Sequence, residues 1–202
     1  MSTNRPIWTP RRMQREMNQL AAYADWLQDC NQCPMPLNDY GLLWRWSVEH
    51  PEAFWKSVWS YCGIRASVLP TAVLENPKAM PGARWFPGAR LNFAENLLRY
   101  TGNRTALVAL DERGRRRTLT HDELRTQVAA VAAALAADGV GEGDRVAGFL
   151  PNTLEAAVAM LATASLGAVW SSCSPDFGEA GVLDRFGQVA PKGLFACDGY
   201  FY

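Results

Sequence analysis

Between Thr105 and Cys197 the sequence alternates strand signals with helix signals, and nothing else in the chain constrains its fold as strongly. Residues 105–110 read as a strand, 111–114 as a turn and 115–119 as the return strand of a hairpin. Thr120-His121-Asp122-Glu123 then has the form of a capping box, opening an alanine-rich helix that reaches to Asp138. Residues 145–150 follow as a short buried strand, 153–166 as a helix, 168–172 as a strand, 179–189 as a helix and 193–197 as another strand. Strands joined through helices by tight loops require right-handed crossovers and produce a mostly parallel, helix-covered sheet, so the expected fold class is α/β. The last strand ends just before Tyr202 with nothing further to cover it, and the sheet is expected to be truncated.

The first hundred residues read differently. Thr9 and Pro10 are placed to open a helix whose Met13, Met17, Leu20, Ala24 and Leu27 share one face. Residues 31–39, with Pro34 and Pro36, break it, and a second helix is expected over 51–61, where Phe54, Trp55, Val58 and Trp59 form an aromatic stripe ended by Gly63. Residues 67–88 hold four prolines without sustained periodicity, which predicts an irregular strap laid over another surface. Asn92 and Glu95 then have capping-box spacing at the start of a short helix running toward Tyr100.

Bulk properties exclude several function classes. Twenty basic and twenty acidic residues cancel, so no global field favours nucleic acid or an anionic membrane. The longest apolar run, 128–137, is mostly alanine and too short to span a bilayer. Arg5, Arg11, Arg12 and Arg15 raise the idea of a transit peptide, but Glu16 and Asp25 follow closely, which favours an exposed helix start. Five irregularly spaced cysteines point to reduced thiols and a cytoplasmic location rather than a disulfide framework. With 49% hydrophobic and 11% aromatic residues the chain can build a real core.

Several motifs carry two readings. Gly139-Val140-Gly141-Glu142-Gly143-Asp144 resembles a nucleotide loop, yet it lies after a helix and before a strand, the reverse of the order that aims amides at phosphate, and a helix C-cap with a turn explains it. No Gly-Lys dipeptide and no Gly-x-Ser-x-Gly occurs, which excludes a Walker loop and a nucleophile elbow. Cys30 and Cys33 have the spacing of half a zinc site, while Cys62, Cys173, Cys197, His50 and His121 are scattered. His50 is read as a helix-entry residue and His121 as exposed. Arg113 and Arg115 to Arg117 form either a phosphate-binding turn or a solvated hairpin tip. Trp44, Trp46, Trp55 and Trp59 form either a ligand cage or packing of the helical region. The turn from Ser171 to Gly178 lies beyond the carboxyl end of a parallel strand, where open α/β sheets collect ligands, and brings Ser172, Ser174 and Asp176 there. It is either a ligand contact or a strand-to-helix turn capped by Ser174 or Asp176.

Three strings carry a family resemblance: Trp46-Ser47-Val48-Glu49-His50-Pro51-Glu52-Ala53-Phe54-Trp55, the run from Trp85-Phe86-Pro87-Gly88-Ala89-Arg90 to Leu97-Leu98-Arg99-Tyr100, and Val169-Trp170-Ser171-Ser172-Cys173-Ser174-Pro175-Asp176-Phe177-Gly178 with Leu183-Asp184-Arg185-Phe186. The chain resembles the AMP-forming acyl-CoA synthetases, and from Ile7 through Asp198-Gly199-Tyr200-Phe201-Tyr202 it is similar to their acetoacetate branch. The resemblance implies that residues 1–100 are an acetyl-CoA-synthetase-type helical region with strap and that 101–202 begin the AMP-binding α/β domain, with the remainder of that domain as partner. It implies activation of acetoacetate by ATP, with Mg2+, to an acyl-adenylate, followed by capture by CoA. The family's equivalent of the 171–178 turn faces the adenosine end of CoA, which makes Ser174, Asp176 and Phe177 the CoA-proximal candidates; this chain has Ser174-Pro175-Asp176 where relatives place small glycines beside an aromatic. The phosphate loop, the adenine- and ribose-binding segments and the catalytic lysine of the family are expected beyond Tyr202, so no catalytic residue is assigned and the segment alone is expected to be inactive. The other reading, of a different class, is a non-catalytic binding or interaction module from a truncated synthetase gene.

Overall fold

In a computed structural model, which describes residues 8–9, 11, 18–30 and 40–200, the chain divides into two units, Met1–Arg90 and Leu91–Tyr202. The described residues of the first form three helices and a ribbon. Helix α1 (Gln19–Asp29) starts where Asn18 Oδ1 accepts the Ala21 N–H at 2.8 Å, and turns Tyr23, Ala24 and Leu27 inward. Pro10, Met13 and Met17, expected to open this helix, and the break at 31–39 lie outside the described residues.

Helix α2 (Tyr40–Glu49), absent from the sequence reading, runs directly into α3 (Pro51–Tyr61) with only His50 between them. Proline disfavours helical geometry in the residue before it and itself fits the first helical position, so the chain bends at His50 (φ −128°, ψ 59°) and restarts. Backbone pairing survives the bend: His50 N–H donates to Trp46 O and Phe54 N–H to His50 O. The core joins Tyr23, Ala24, Leu27, Leu43 and Trp46, with Phe54, Val58 and Tyr61 packed against it. A phenol buried there needs a partner, and Tyr23 finds it in Ser57 Oγ, which in turn donates to Phe54 O at 2.6 Å.

The stretch expected as a strap on another surface lays Trp85 and Phe86 against Trp55 and Trp59 of α3, and it also pairs with itself. Strands β1 (Leu74–Glu75) and β2 (Arg84–Trp85) are antiparallel, and Phe86 N–H to Val73 O, Thr71 N–H to Pro87 O and a bridge between Val68 and Arg90 continue the ribbon. Prolines cannot donate to a ladder, so the rungs fall where other residues supply the N–H, which leaves the ribbon interrupted and its periodicity hidden in the sequence. Phe86 takes a left-handed backbone (φ 46°) while its ring lies 4.6 Å from that of Trp59.

The second unit is the α/β layer expected from the alternation. Helix α4 (Phe93–Leu97) belongs to it: Asn92 Oδ1 accepts the Glu95 N–H while its amide donates to Ala164 O at 2.9 Å. Strands β3 (Thr105–Leu110) and β4 (Arg116–Thr120) form an antiparallel hairpin whose turn is held by Asp111 Oδ1, accepting from Arg113 N–H and Arg115 N–H. The capping box of Thr120 and Glu123 is complete and opens α5 (His121–Ala137). His121 is half-buried with its ring 5.6 Å from that of Tyr100, not exposed as the sequence suggested. Then follow β5 (Arg145–Phe149), α6 (Leu154–Ser165), β6 (Val169–Cys173), α7 (Glu179–Val189) and β7 (Gly193–Ala196), with a parallel sheet in the order β6-β5-β7.

Side chains alternate through this sheet as its pleat requires. Val146, Trp170 and Phe195 join the aliphatic core of α5 and α6, while Ala147 and Cys173 meet Phe186 of α7 on the other face. Gly148 is the necessary gap in that pattern: a Cβ there would lie 2.4 Å from Trp170 Cζ2, so only glycine lets the indole lie across the central strand. At the amino ends of the strands, Lys192 Nζ reaches Gly139 O and Asp144 Oδ2, and the Arg145 guanidinium donates to the Val189 and Ala190 carbonyls at the end of α7. The Gly139–Asp144 run sits here as a helix exit and turn, with Asp144 Oδ2 accepting the Gly141 N–H. Among the described residues no helix is long and apolar enough to cross a membrane.

Candidate functional site

Because β5, β6 and β7 are parallel, the loops leaving their carboxyl ends gather on one side. The chain from β5 to β6 goes one way along the sheet, and the next connection returns across β5 to place β7 on its other flank. Such a reversal opens a crevice at the end of the central strand. A cleft of about 690 Å3 occupies that place. Its floor is Leu150, Pro151, Asn152 and Thr153 after β5; Ser174, Pro175 and Asp176 after β6 form one side, and Cys197, Gly199 and Tyr200 after β7 another. The hairpin contributes Asp111, Glu112, Arg115 and Arg117, and α6 contributes Glu155.

Two polar contacts organise this cleft. Arg117 Nη2 meets Glu155 Oε1 at 2.5 Å, joining the hairpin to the first turn of α6. Their hydrogen bond, with mutual attraction adding to it, raises the guanidinium pKa and lowers that of the carboxyl. Both side chains are more than half exposed, so the pair orients the wall more than it stabilises the fold. The second contact centres on Asp176. Tyr200 O–H donates to Asp176 Oδ1, and Ser174 O–H donates to Oδ2 at 2.7 Å; these two donors, the phenol first, hold the Asp176 carboxyl below the usual carboxylate range.

The carboxylates of Asp111, Glu112, Glu155 and Asp176 outnumber the guanidiniums of Arg115 and Arg117 around the cleft. That wall favours a ligand group that donates hydrogen bonds or stacks, not an unshielded phosphate. A smaller groove of about 350 Å3, lined by Leu107, Met160, Trp170 and Ser172, adjoins the same floor.

The sequence candidates separate here. Ser174 and Asp176 line the cleft. Ser172 lines only the smaller groove. Phe177 is not among the residues lining the cleft: Arg185 lies 4.2 Å over its ring, which packs along α7 beside Gly181. The capping alternative is corrected, since α7 has Gly178 at its N-cap position with no side-chain cap, and Asp176 instead accepts from Ser174 and from Tyr200. The basic turn is more than a solvated tip, because Arg115 and Arg117 face the cleft. The tryptophans form no cage: Trp46 is in the core, Trp44 is exposed, Trp55 meets Trp85 and Trp59 meets Phe86. Cys33 lies outside the described residues; among those described, no disulfide joins Cys30, Cys62, Cys173 and Cys197 to one another, and no group of three or more His, Cys, Asp or Glu side chains is placed to hold a metal.

Tyr200 and Glu155 are the cleft residues the sequence reading missed. The same strand-end rule that selected Ser174 also applies after β7, where Tyr200 lies, and after β5, where Glu155 opens α6.

Comparison with known proteins agrees along the whole chain. The profile of AMP-binding enzymes matches residues 93–200, and one described as acetyl-coenzyme A synthetase N-terminus matches residues 40–97. The acetoacetyl-coenzyme A synthetase of Rhizobium meliloti (strain 1021) is 48% identical over 202 residues, which is 100% of this chain and 31% of that protein. The acetoacetyl-CoA synthetase of Rattus norvegicus is 47% identical over 173 residues, covering 84% of this chain and 26% of that one. Among solved structures, acetoacetyl-CoA synthetase from Streptomyces lividans matches with a TM-score of 0.89 and 45% identity, over 98% of this chain and 31% of that one. The chain thus spans less than a third of the length of the relatives it matches.

Proposed function

Because this chain belongs to the AMP-binding enzyme family, we propose that it forms the N-terminal part of an acetoacetate–CoA ligase, which converts ATP, acetoacetate and CoA to AMP, pyrophosphate and acetoacetyl-CoA through an acyl-adenylate. The observation that carries this reading is the end-to-end likeness, in sequence and in fold, to acetoacetyl-CoA synthetases. The helical region with its ribbon serves as the first part, and the adenylate-forming domain begins with the second unit, from Leu91 rather than from 101; the remainder of that domain is the partner they are shaped to meet. ATP and CoA are substrates of that whole enzyme. Magnesium would accompany ATP in that whole enzyme and neutralise phosphate charge in the transfer; among the described residues no group of three or more His, Cys, Asp or Glu side chains is placed to hold it.

Within this scheme Ser174 and Asp176 face the adenosine end of CoA. The excess of carboxylates around them suits the amine of the adenine base, which donates hydrogen bonds, and leaves the phosphates of CoA, including the one on its ribose, to other residues. Phe177 supports the turn from outside the cleft through its packing on α7. Five irregularly spaced cysteines suit a reducing compartment better than a disulfide framework, and the protein is assigned to the cytoplasm.

The test is an AMP-release assay with acetoacetate, acetate and longer acyl acids as alternatives. The protein carrying this chain is expected to require acetoacetate and CoA, whereas the 202 residues alone release no AMP. Preference for another acid would overturn the substrate assignment; turnover by the 202 residues alone would overturn their role as a part.

A further inference from the structure

The loops that follow β6 and β7 leave the sheet on opposite flanks of β5, yet a single carboxylate joins them. Asp176 uses its two oxygens on different partners, one on Ser174 within its own turn and one on the phenol of Tyr200, 24 residues later. The turn is itself ordered, with Phe177 N–H donating to Ser174 O and Asp176 N–H approaching Ser174 Oγ. Arg185 on Phe177 fixes its far end to α7. Tyr200, by contrast, lies in a stretch without regular structure, beyond the last rung that pairs β7 with β5.

We infer that Asp176 is a positioning residue: its carboxylate ties the loop after β7 to the anchored turn after β6 across the end of the central strand, and thereby holds Tyr200 as a wall of the cleft. An ordered turn braced on a helix is the fixed partner, and the segment at 198–200 is the one that is placed. A ligand entering over β5 then meets an aromatic surface already in position, so less ordering opposes its binding. This role rests on the CoA reading only for the identity of that ligand.

Hydrogen exchange of the full-length, ligand-free protein tests the tie, with Tyr200→Phe as the decisive variant because it keeps the ring and removes one O–H. Faster exchange by roughly two- to fivefold at 198–200, without change in β5, is the expected result for an exposed hydrogen bond. Asp176→Asn should do the same, and Asp176→Glu, which keeps the carboxylate, should recover part of the protection. Unchanged exchange at 198–200 in Tyr200→Phe overturns the inference even if Asp176→Asn fails to fold. In steady-state kinetics Tyr200→Phe should raise KM for CoA while leaving kcat near its starting value. Faster exchange with an unaltered KM for CoA would leave the tie standing and remove CoA as the occupant of the cleft.

Discussion

The two units solve the same burial problem with different materials. The first packs a few large rings: Trp46, 2% exposed, meets Phe54 edge-on, and Tyr23 lies between Phe54 and Tyr61. The second packs many small aliphatic groups, with Val146, Ala162, Val128 and Ala159 each at or below 2% exposed. A core of few large pieces concentrates its stability in single side chains, whereas a core of many small ones spreads it. Both units use side-chain caps, Asn18 in the first and Asn92, Thr120 and Thr153 in the second.

The sharpest way to break this contrast is Trp46→Ala, which should cost about 3–5 kcal/mol. Hydrogen exchange should then accelerate through α1 to α3 while β5 and its neighbours stay protected. Equal loss of protection in both units would show that they do not hold separate cores. Next comes Gly148→Ala, where the second unit does depend on one large ring. Overpacking against Trp170 should destabilise by about 1–3 kcal/mol in chemical denaturation. Trp170→Leu in the same chain should return part of that loss, a coupling that independent sites would not display.

How far the sequence reveals each unit follows from the same contrast. In the second unit, Thr120 with Glu123 marks a helix start within four residues, and the short apolar run from Val146 to Leu150 marks a buried strand, so elements and fold class are readable locally. In the first, α2 escaped notice because Leu42, Leu43, Trp44 and Trp46 crowd its sequence with apolar residues on more than one face, and Trp44 is exposed. The ribbon escaped because its pairing joins Val68 to Arg90 across a stretch interrupted by prolines. The cleft is intermediate. Ser174 and Asp176 were accessible through the strand-end rule, but Tyr200 meets Asp176 and Arg117 meets Glu155 only after the chain has folded, over separations no local pattern records.

Smaller substitutions sharpen the picture at helix starts. Asn92→Ala should cost roughly 2 kcal/mol, combining a lost cap with a lost hydrogen bond to Ala164 O, while Thr120→Ala should cost about 1 kcal/mol as a cap alone. Equal losses, read from denaturation midpoints, would mean that the tie from Asn92 to α6 contributes little.

The smallest effect separates two tyrosine hydroxyls. Tyr23 pairs with a buried, neutral serine, and Tyr200 with an ionised carboxylate. Because the Asp176 pKa is lowered in the folded chain, its bond is complete above the ordinary aspartate value of about 3.9 and is lost as pH falls through the lowered one. Protection at 198–200 should therefore fade at acid pH before any change near Tyr23. In Tyr200→Phe, the titration midpoint of the Asp176 carboxyl, followed by carbon NMR, should move up.

The fastening of the sheet by Lys192 and Arg145 lies wholly at the amino ends of its strands, and every residue of the cleft lies at the other. Variation is thereby partitioned. Side chains that line the cleft can be exchanged without touching the contacts of Lys192 and Arg145, so the chemistry of one end of the sheet can change while the fastening at the other is kept.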